Sequence, residues 1–371
     1  MKLAQTPSDC SRLIGAAILT LALAIAPIAA DAFTCPTVTT LGATGNCGIV
    51  ITAPGCYQIL VSQVDLSDTA DCVQIASSKV VLLLDAPLTG TGATSTADGI
   101  HVLATTPGGG ASSAIVGGLP ITNVTIITNA QGIFSFNNGV ESDANDVRID
   151  GIQALRNNAN GILLSSVKAN RVSGAAAEGN GESGIAINGS SGNLVSDCNL
   201  SEDGNGVSLT NSNGNTVSGS TLNASFGAGA QLQTSNDNRL TGNTANGNGD
   251  FGFALSGSSA NTLSANTTDN NSVGITIDNS PATEVSANVV QGNSFNGIEL
   301  SNNDGGSHID SNSVSTTNGF GIHVNSGSTA LTINGNGAAN NAIDLDDDNP
   351  GCANNQWFGN SFISSSQTCI H

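Results

Sequence analysis

The sequence predicts an all-β chain wound as a single-stranded right-handed parallel β-helix, a solenoid of about 22–23 residues per coil with three short strands in each. Three observations predict it. A Gly (once Ala) before an apolar-x-apolar triplet recurs at Gly139, Gly161, Gly184, Gly206, Gly229, Gly252, Gly274, Gly297, Gly321 and Ala342, in steps of 21 to 24 residues. Within each unit the apolar residues alternate with period two, as in a strand, and no helical period appears. Nine residues after the Gly comes a second short strand led by Asn, at Asn170, Asn193, Asn215, Asn238 and Asn261.

The first 32 residues read as an export signal. Lys2 and Arg12 supply a positive start, residues 13–28 an apolar run, and Ala30-Asp31-Ala32 a small-residue cleavage site. The mature chain is then expected to start at Phe33, to be secreted or periplasmic, and to have no membrane span. Residues 33–72 carry Cys35, Cys47, Cys56 and Cys72 and are expected to form a disulfide-rich N-terminal cap with the first strands. Residues 73–348 are the β-helix, and 349–371 are a C-terminal cap closed by Cys352 and Cys369. Six Cys in an exported chain point to three disulfides, with the pairing of the first four left open. Cys198 is left over as a buried thiol.

Earlier coils are expected at Val73-Gln74-Ile75, 80–84, Gly99-Ile100-His101-Val102 and 124–127. A Gly/Ser-rich insertion at 105–120 should stand off the wall as a loop. The leucine-rich-repeat frame is missing, and hexapeptide helices repeat near 18 residues, so the longer coil favours the right-handed type. Parallel strands stack at about 4.8 Å, so the eight steps from Gly161 to Ala342 span roughly 38 Å. The recurring Asn should form side-chain ladders along the axis. Phe226, Phe251, Phe295 and Phe320 are expected to stack against the coil rather than to offer a sugar platform.

Composition excludes some functions. Lys plus Arg is 8 against 28 Asp plus Glu, a net charge of −20. Removing Lys2, Arg12, Asp9 and Asp31 with the signal leaves 6 against 26, the same balance. No nucleic-acid partner is expected, because phosphate contacts need clustered cations. Polyuronates would be repelled as well unless cations intervened.

Chemistry is expected on the outward face of the triplet strands, where x of apolar-x-apolar points to solvent. In that frame Glu299, His323 and Asp344 are consecutive neighbours at the C-terminal end, with Asp346 alongside, and form the candidate catalytic set. Glu299 and Asp344 would lie two coils, roughly 10 Å, apart. Flexible side chains could bring them to the separation of about 6.5–9.5 Å that an inverting glycosidase needs. His323 between two acids could serve as acid or orienter. No cofactor is predicted. Calcium is the ion that Asp344, Asp346 and Asp348 would suit, as hard oxygen ligands, although no EF-hand frame surrounds them.

The Asn-Gly-Ile units followed by Asn-x-Val-Ser resemble bacterial right-handed parallel β-helix repeat proteins of the pectin-lyase-like superfamily, NosD-like carbohydrate-binding modules included. Residues 343–362 resemble a closing motif of exported members. The resemblance covers about residues 70–371. It implies a carbohydrate-related role and leaves the activity open between polysaccharide lyases, hydrolases, epimerases and binding proteins. The Gly-His-Gly and Arg-x-Lys of polygalacturonases and the Asp-Pro-His-Asp of mannuronan epimerases are absent from the sequence. The expected function is presentation of a polar face to a neutral polysaccharide or cell-surface glycan. The alternatives are a polysaccharide hydrolase or lyase and a structural envelope protein or adhesin. The oligomeric state cannot be read from the sequence.

Overall fold

The structure is a computed structural model and describes residues 37–66, 69–92, 95–104, 115–116, 125–128 and 132–371. The expected signal segment, Cys35 and all of the 105–120 insertion except 115–116 lie outside these residues.

Among the described residues every strand pairing is parallel, and the chain forms a right-handed β-solenoid with three faces. The Gly-led triplets make a 13-stranded sheet, called here the triplet sheet, from Ile49–Ile51 to Ile343–Asp347. The Asn-led strands make a 15-stranded sheet from Val38–Leu41 to Gln356–Phe358. Among the described residues the third face holds two sheets of six and five strands, joined through single bridges at Thr221. Register along the triplet sheet runs Ile162↔Ile185↔Val207↔Ala230↔Phe253↔Ile275↔Ile298↔Ile322↔Leu345. The inward residues are fully buried, so the core is a continuous aliphatic column interrupted by few aromatics, Phe136 and Phe253 among them.

The repeat Gly is required by close approach. A Cβ on Gly161 would lie 2.6 Å from both Gly184 O and Ala177 Cβ, so the strand enters the triplet sheet with no room for a side chain. The turn into the Asn-led strand has a different requirement. The residue before each ladder Asn adopts positive φ: Ala169 58°, Gly192 65°, Gly214 65°, Asp237 56° and Ala260 57°. This bend swings the Asn side chain inward and leaves the backbone amides of the turn without strand partners.

The Asn ladder satisfies them. Asn215 Oδ1 accepts from Asn193 N and Nδ2, both at 2.9 Å, and Asn238 Oδ1 accepts from Asn215 N at 2.8 Å and Nδ2 at 3.1 Å. A second ladder runs through Asn243, Asn266, Asn288, Asn312, Asn336 and Asn360. A third joins Asn157 and Asn180 and ends on Asp203. A hydroxyl ladder runs from Ser190 through Ser212, Ser235 and Ser258 to Ser280, whose N–H donates to Asp304. Each bond has a modest net worth, but an unmade one in this interior would cost its full desolvation.

Both ends are built from the same rungs. Strands at Val38–Leu41, Ile49–Ile51, Gly55–Ile59 and Gln63–Val64 already belong to the three faces, so the cysteine-rich segment forms an opening coil. Cys47 pairs with Cys72, and Cys56 is also disulfide-bonded. At the other end Cys352 pairs with Cys369. There Trp357 covers the column and donates from Nε1 to Asp347 Oδ2 at 2.9 Å. Cys198 is a buried free thiol, its pKa pushed up to about 11 by burial.

Candidate functional site

Two polar clusters stand at opposite ends of the outward face of the triplet sheet. Each is built on the tetrapeptide Gly-Ile-His-Val, at 99–102 and at 321–324. The outward row between them is mostly small or neutral: Leu163, Ala186, Ser208, Gln231, Ala254 and Thr276.

At the C-terminal end the strand register places Glu299 beside His323 and His323 beside Asp346. The expected row Glu299–His323–Asp344 is therefore corrected at its last member. Asp344 sits opposite Gly321, and a two-residue slip separates it from the row. Its carboxylate accepts from Asn341 N and Nδ2, Ile363 N and Ser364 N, and ties the closing tail to the last coil. Burial opposes its charge, but these donors hold its pKa below the ordinary carboxylate value.

His323 Nε2 lies 3.1 Å from Asp346 Oδ2 and 3.3 Å from Asp348 Oδ2. Only the Asp348 contact has hydrogen-bond geometry, and Asp346 Oδ2 is buried without a hydrogen-bond partner. The Phe320 ring lies against the imidazole, with centroids 4.3 Å apart. Glu299 is gripped by the amides of Asn296 and Asn325, each at 3.0 Å. Asn296 Oδ1 accepts from Phe320 N, which turns its Nδ2 toward His323 Nδ1 at 3.4 Å. Nδ1 is thus an acceptor, and the proton of a neutral ring sits on Nε2, facing the two Asp. Of the expected calcium set, Asp346 and Asp348 converge, with His323 as their third neighbour in place of Asp344. An imidazole donor is foreign to hard-oxygen calcium sites, and this ring already uses Nδ1 as acceptor.

The N-terminal cluster was missed by the sequence reasoning. The outward row extends upstream from Glu141 to His101 and Gln74. His101 Nδ1 is 2.9 Å from Asp71 Oδ2, and Nε2 is 3.2 Å from Asp143 Oδ2. With a carboxylate on each nitrogen the ring is held as an imidazolium. The hydrogen bonds to Asp143 and Asp71 outweigh burial and raise its pKa to about 10. Asp71 is fixed by Asp98 N at 2.9 Å and Gln74 Nε2 at 3.1 Å. Burial would raise its pKa, but the bonds from His101, Asp98 N and Gln74 bring it below the usual value. Glu141 is half-buried; burial first, then hydrogen bonding to Asp98, pushes its pKa up to about 8. Its Oε2 also accepts from Asn138 Nδ2 at 3.3 Å. A carboxyl that keeps its proton at neutral pH therefore stands beside a fixed imidazolium. The signal available in the sequence was the Gly-Ile-His-Val frame itself, applied one coil upstream of Glu141.

Aromatic placement also departs from expectation. Phe226 and Phe295 are 81% and 64% exposed, so they do not stack against the coil. Both lie in the turn that leads into the triplet sheet, three coils apart, or about 14 Å. Phe251 and Phe320, which open triplet strands, are partly buried.

No curated protein matches the chain. Among solved structures, the A-module of the Azotobacter vinelandii mannuronan C-5 epimerase AlgE4 is similar at 13% identity and a TM-score of 0.54, over 89% of this chain and 88% of that one. The enzymatically active domain of tailspike protein 2 from bacteriophage CBA120 is similar at 15% identity and a TM-score of 0.51, over 69% of this chain. This chain spans 43% of that domain. At such identities the likeness is one of fold. Sequence alone also matches the right-handed β-helix region over residues 108–267 and 205–370, most of the coils that carry the triplet, Asn and Ser registers described above. The chain belongs to the right-handed β-helix family.

Proposed function

We propose that this is an exported protein that binds a neutral polysaccharide or cell-surface glycan along the outward face of its triplet sheet. The observation that carries the reading is the exposure of Phe226 and Phe295 on one edge of that face. Phe226 and Phe295 are the two most exposed aromatic rings among the described residues, and rings left in water on one edge of a sheet face offer a binding surface. Pyranose rings present an apolar face that such a ring covers. The neighbouring outward residues Ser208, Gln231 and Thr276 offer neutral hydrogen-bond partners beside it.

The glycan class follows from charge. The similar AlgE4 module is a mannuronan epimerase, but a chain of net charge −20 with this scarcity of Lys and Arg disfavours a polyanionic ligand. Disulfides at both ends accord with an oxidising compartment.

A glycan array probed with the purified protein tests the reading. Neutral glycans should be retained, and the double variant Phe226→Ala/Phe295→Ala should lose at least about tenfold in affinity, at about 1 kcal/mol or slightly more per stacked ring. Unchanged retention by that variant would remove the platform, and an array that retains only polyanions would remove the neutral-glycan assignment.

A further inference from the structure

We propose that Glu141 and Asp143 are the proton donor and the nucleophile of a site that hydrolyses a glycosidic bond in the neutral glycan bound on the triplet face. The inference deepens the glycan-binding reading and rests on it. The pair lies on one strand, Val140–Ser142, and at its immediate end, so both side chains share the outward face at the N-terminal end of the helix.

The geometry assigns the two carboxyls different tasks. The groups that face Glu141 are Asp98 from the preceding turn, His101 from the preceding triplet strand and Asp143 from its own strand. Leu163, next along the row, is uncharged. Burial and Asp98 keep the Glu141 proton on at neutral pH, as a general acid requires. Asp143 faces the His101 imidazolium, which Asp71 holds from the far side, and is thereby oriented. His101 is a positioning residue here, with both of its nitrogens occupied.

The closeness of the pair accords with a retaining mechanism. One oxygen of each carboxyl and a His101 nitrogen lie within 4.8 Å of one another. An inverting site needs about 6.5–9.5 Å to seat a water between acid and base, whereas retaining pairs stand about 5–5.5 Å apart. In the first step Asp143 attacks the anomeric carbon, the bond from that carbon to the glycosidic oxygen breaks, and the Glu141 proton passes to the departing oxygen. In the second step water attacks the same carbon and the ester bond to Asp143 breaks. The water proton returns to Glu141. The sum is one glycosidic bond and one water consumed, with two hydroxyls formed and the anomeric configuration retained.

The test uses the full mature chain and those neutral glycans that the array retains, with reducing-end release and the anomer of the first product read by proton NMR. Wild type should release reducing ends with retention, and the rate should fall as pH rises through about 8. Glu141→Gln and Asp143→Asn should each slow release by about 100-fold or more while still binding on the array. Glu141→Asp should recover part of the rate. Carbon-13 titration of the Glu141 carboxyl, assigned by its loss in Glu141→Gln, should give a midpoint near 8. An inverted product, a Glu141→Gln variant that cleaves at the wild-type rate, or a Glu141 midpoint near the ordinary 4.5 would overturn the assignment. Array binding without cleavage would overturn hydrolysis and leave glycan binding standing. Absence of binding would overturn the glycan reading, and hydrolysis with it.

Discussion

His101 and His323 occupy the same place in the same tetrapeptide, on the same face of the same sheet, nine rungs and about 43 Å apart. Their chemistry differs because their neighbours come from different coils. His101 has a carboxylate on each nitrogen, Asp71 from the turn before the preceding strand and Asp143 from the coil after. His323 has both of its carboxylates at Nε2 and an amide at Nδ1. In a solenoid the local sequence sets where a side chain points, and the stacking register sets what it meets. Two identical tetrapeptides can therefore meet different partners. Both sites rest on an unbroken stack of coils between the two ends.

The largest effect is expected from Val217→Asp. Val217 is fully buried in the coils that lie between the two sites and stacks between Val195 and Leu240. A carboxylate there has no partner, and the loss should be about 3 kcal/mol or more, as read by denaturant unfolding. A variant that melts with wild type would show that the column is not continuous.

Much of this column was legible in the sequence. Period-two alternation fixed which residues face inward, and equal spacing of Asn170, Asn193 and Asn215 predicted a ladder that the side-chain bonds reproduce. The C-terminal row was misplaced for a definite reason. Ala342-Ile343-Asp344-Leu345 can be threaded in two frames that differ by two residues, and a slip of two leaves the inward and outward faces unchanged. Alternation cannot detect it; only the pairing of Phe320 with Ile343 and of Ile322 with Leu345 decides. The N-terminal cluster was hidden differently. Its strands Val73–Ile75, Ile100–Val102 and Val140–Ser142 are separated by long, unequal connections, so the 22–23-residue period does not bring Asp71, His101 and Asp143 together. The exposure of Phe226 and Phe295 was equally hidden, because turn residues carry no alternation to assign their direction.

A second prediction asks whether neighbours set protonation inside the wall as they do on its face. Asp203 ends the ladder from Asn157 and Asn180, and burial, opposed by the bonds from Asn180, pushes its pKa up to about 8. Its Oδ2 has no hydrogen-bond partner. Because the folded value lies above the unfolded one, the native state retains a proton that the unfolded chain releases, and stability declines as pH rises from about 4 to about 8. Asp203→Asn keeps the acceptor that Asn180 uses and removes that decline. Its amide can reach for Ala177 O, as the Asn180 amide bonds Ala154 O. The variant should match wild type near pH 4 and exceed it by a widening margin as pH rises toward 8. Equal slopes would place the proton elsewhere.

The smallest effects test the two histidines directly. His101 has a folded pKa near 10 against an ordinary 6.5, so its stabilisation is fully present below pH 6.5 and is lost as pH rises through 10. Glu141, near 8 against 4.5, contributes a decline in the same direction between those two values. His101→Gln should therefore lower stability by about 1–2 kcal/mol at pH 6, discounted because the ion pairs are partly solvated, and by much less at pH 10. It should also move the Glu141 midpoint upward, since the imidazolium favours the charged carboxylate. His323→Gln removes a hydrogen bond to Asp348 and the ring packed on Phe320, at a cost of about 1 kcal/mol. It has no route to Glu141 across eight rungs of mostly neutral wall. If both variants shifted the Glu141 midpoint equally, the ends would be coupled through the stack, and the difference between the two tetrapeptides could no longer be assigned to the coils that touch them.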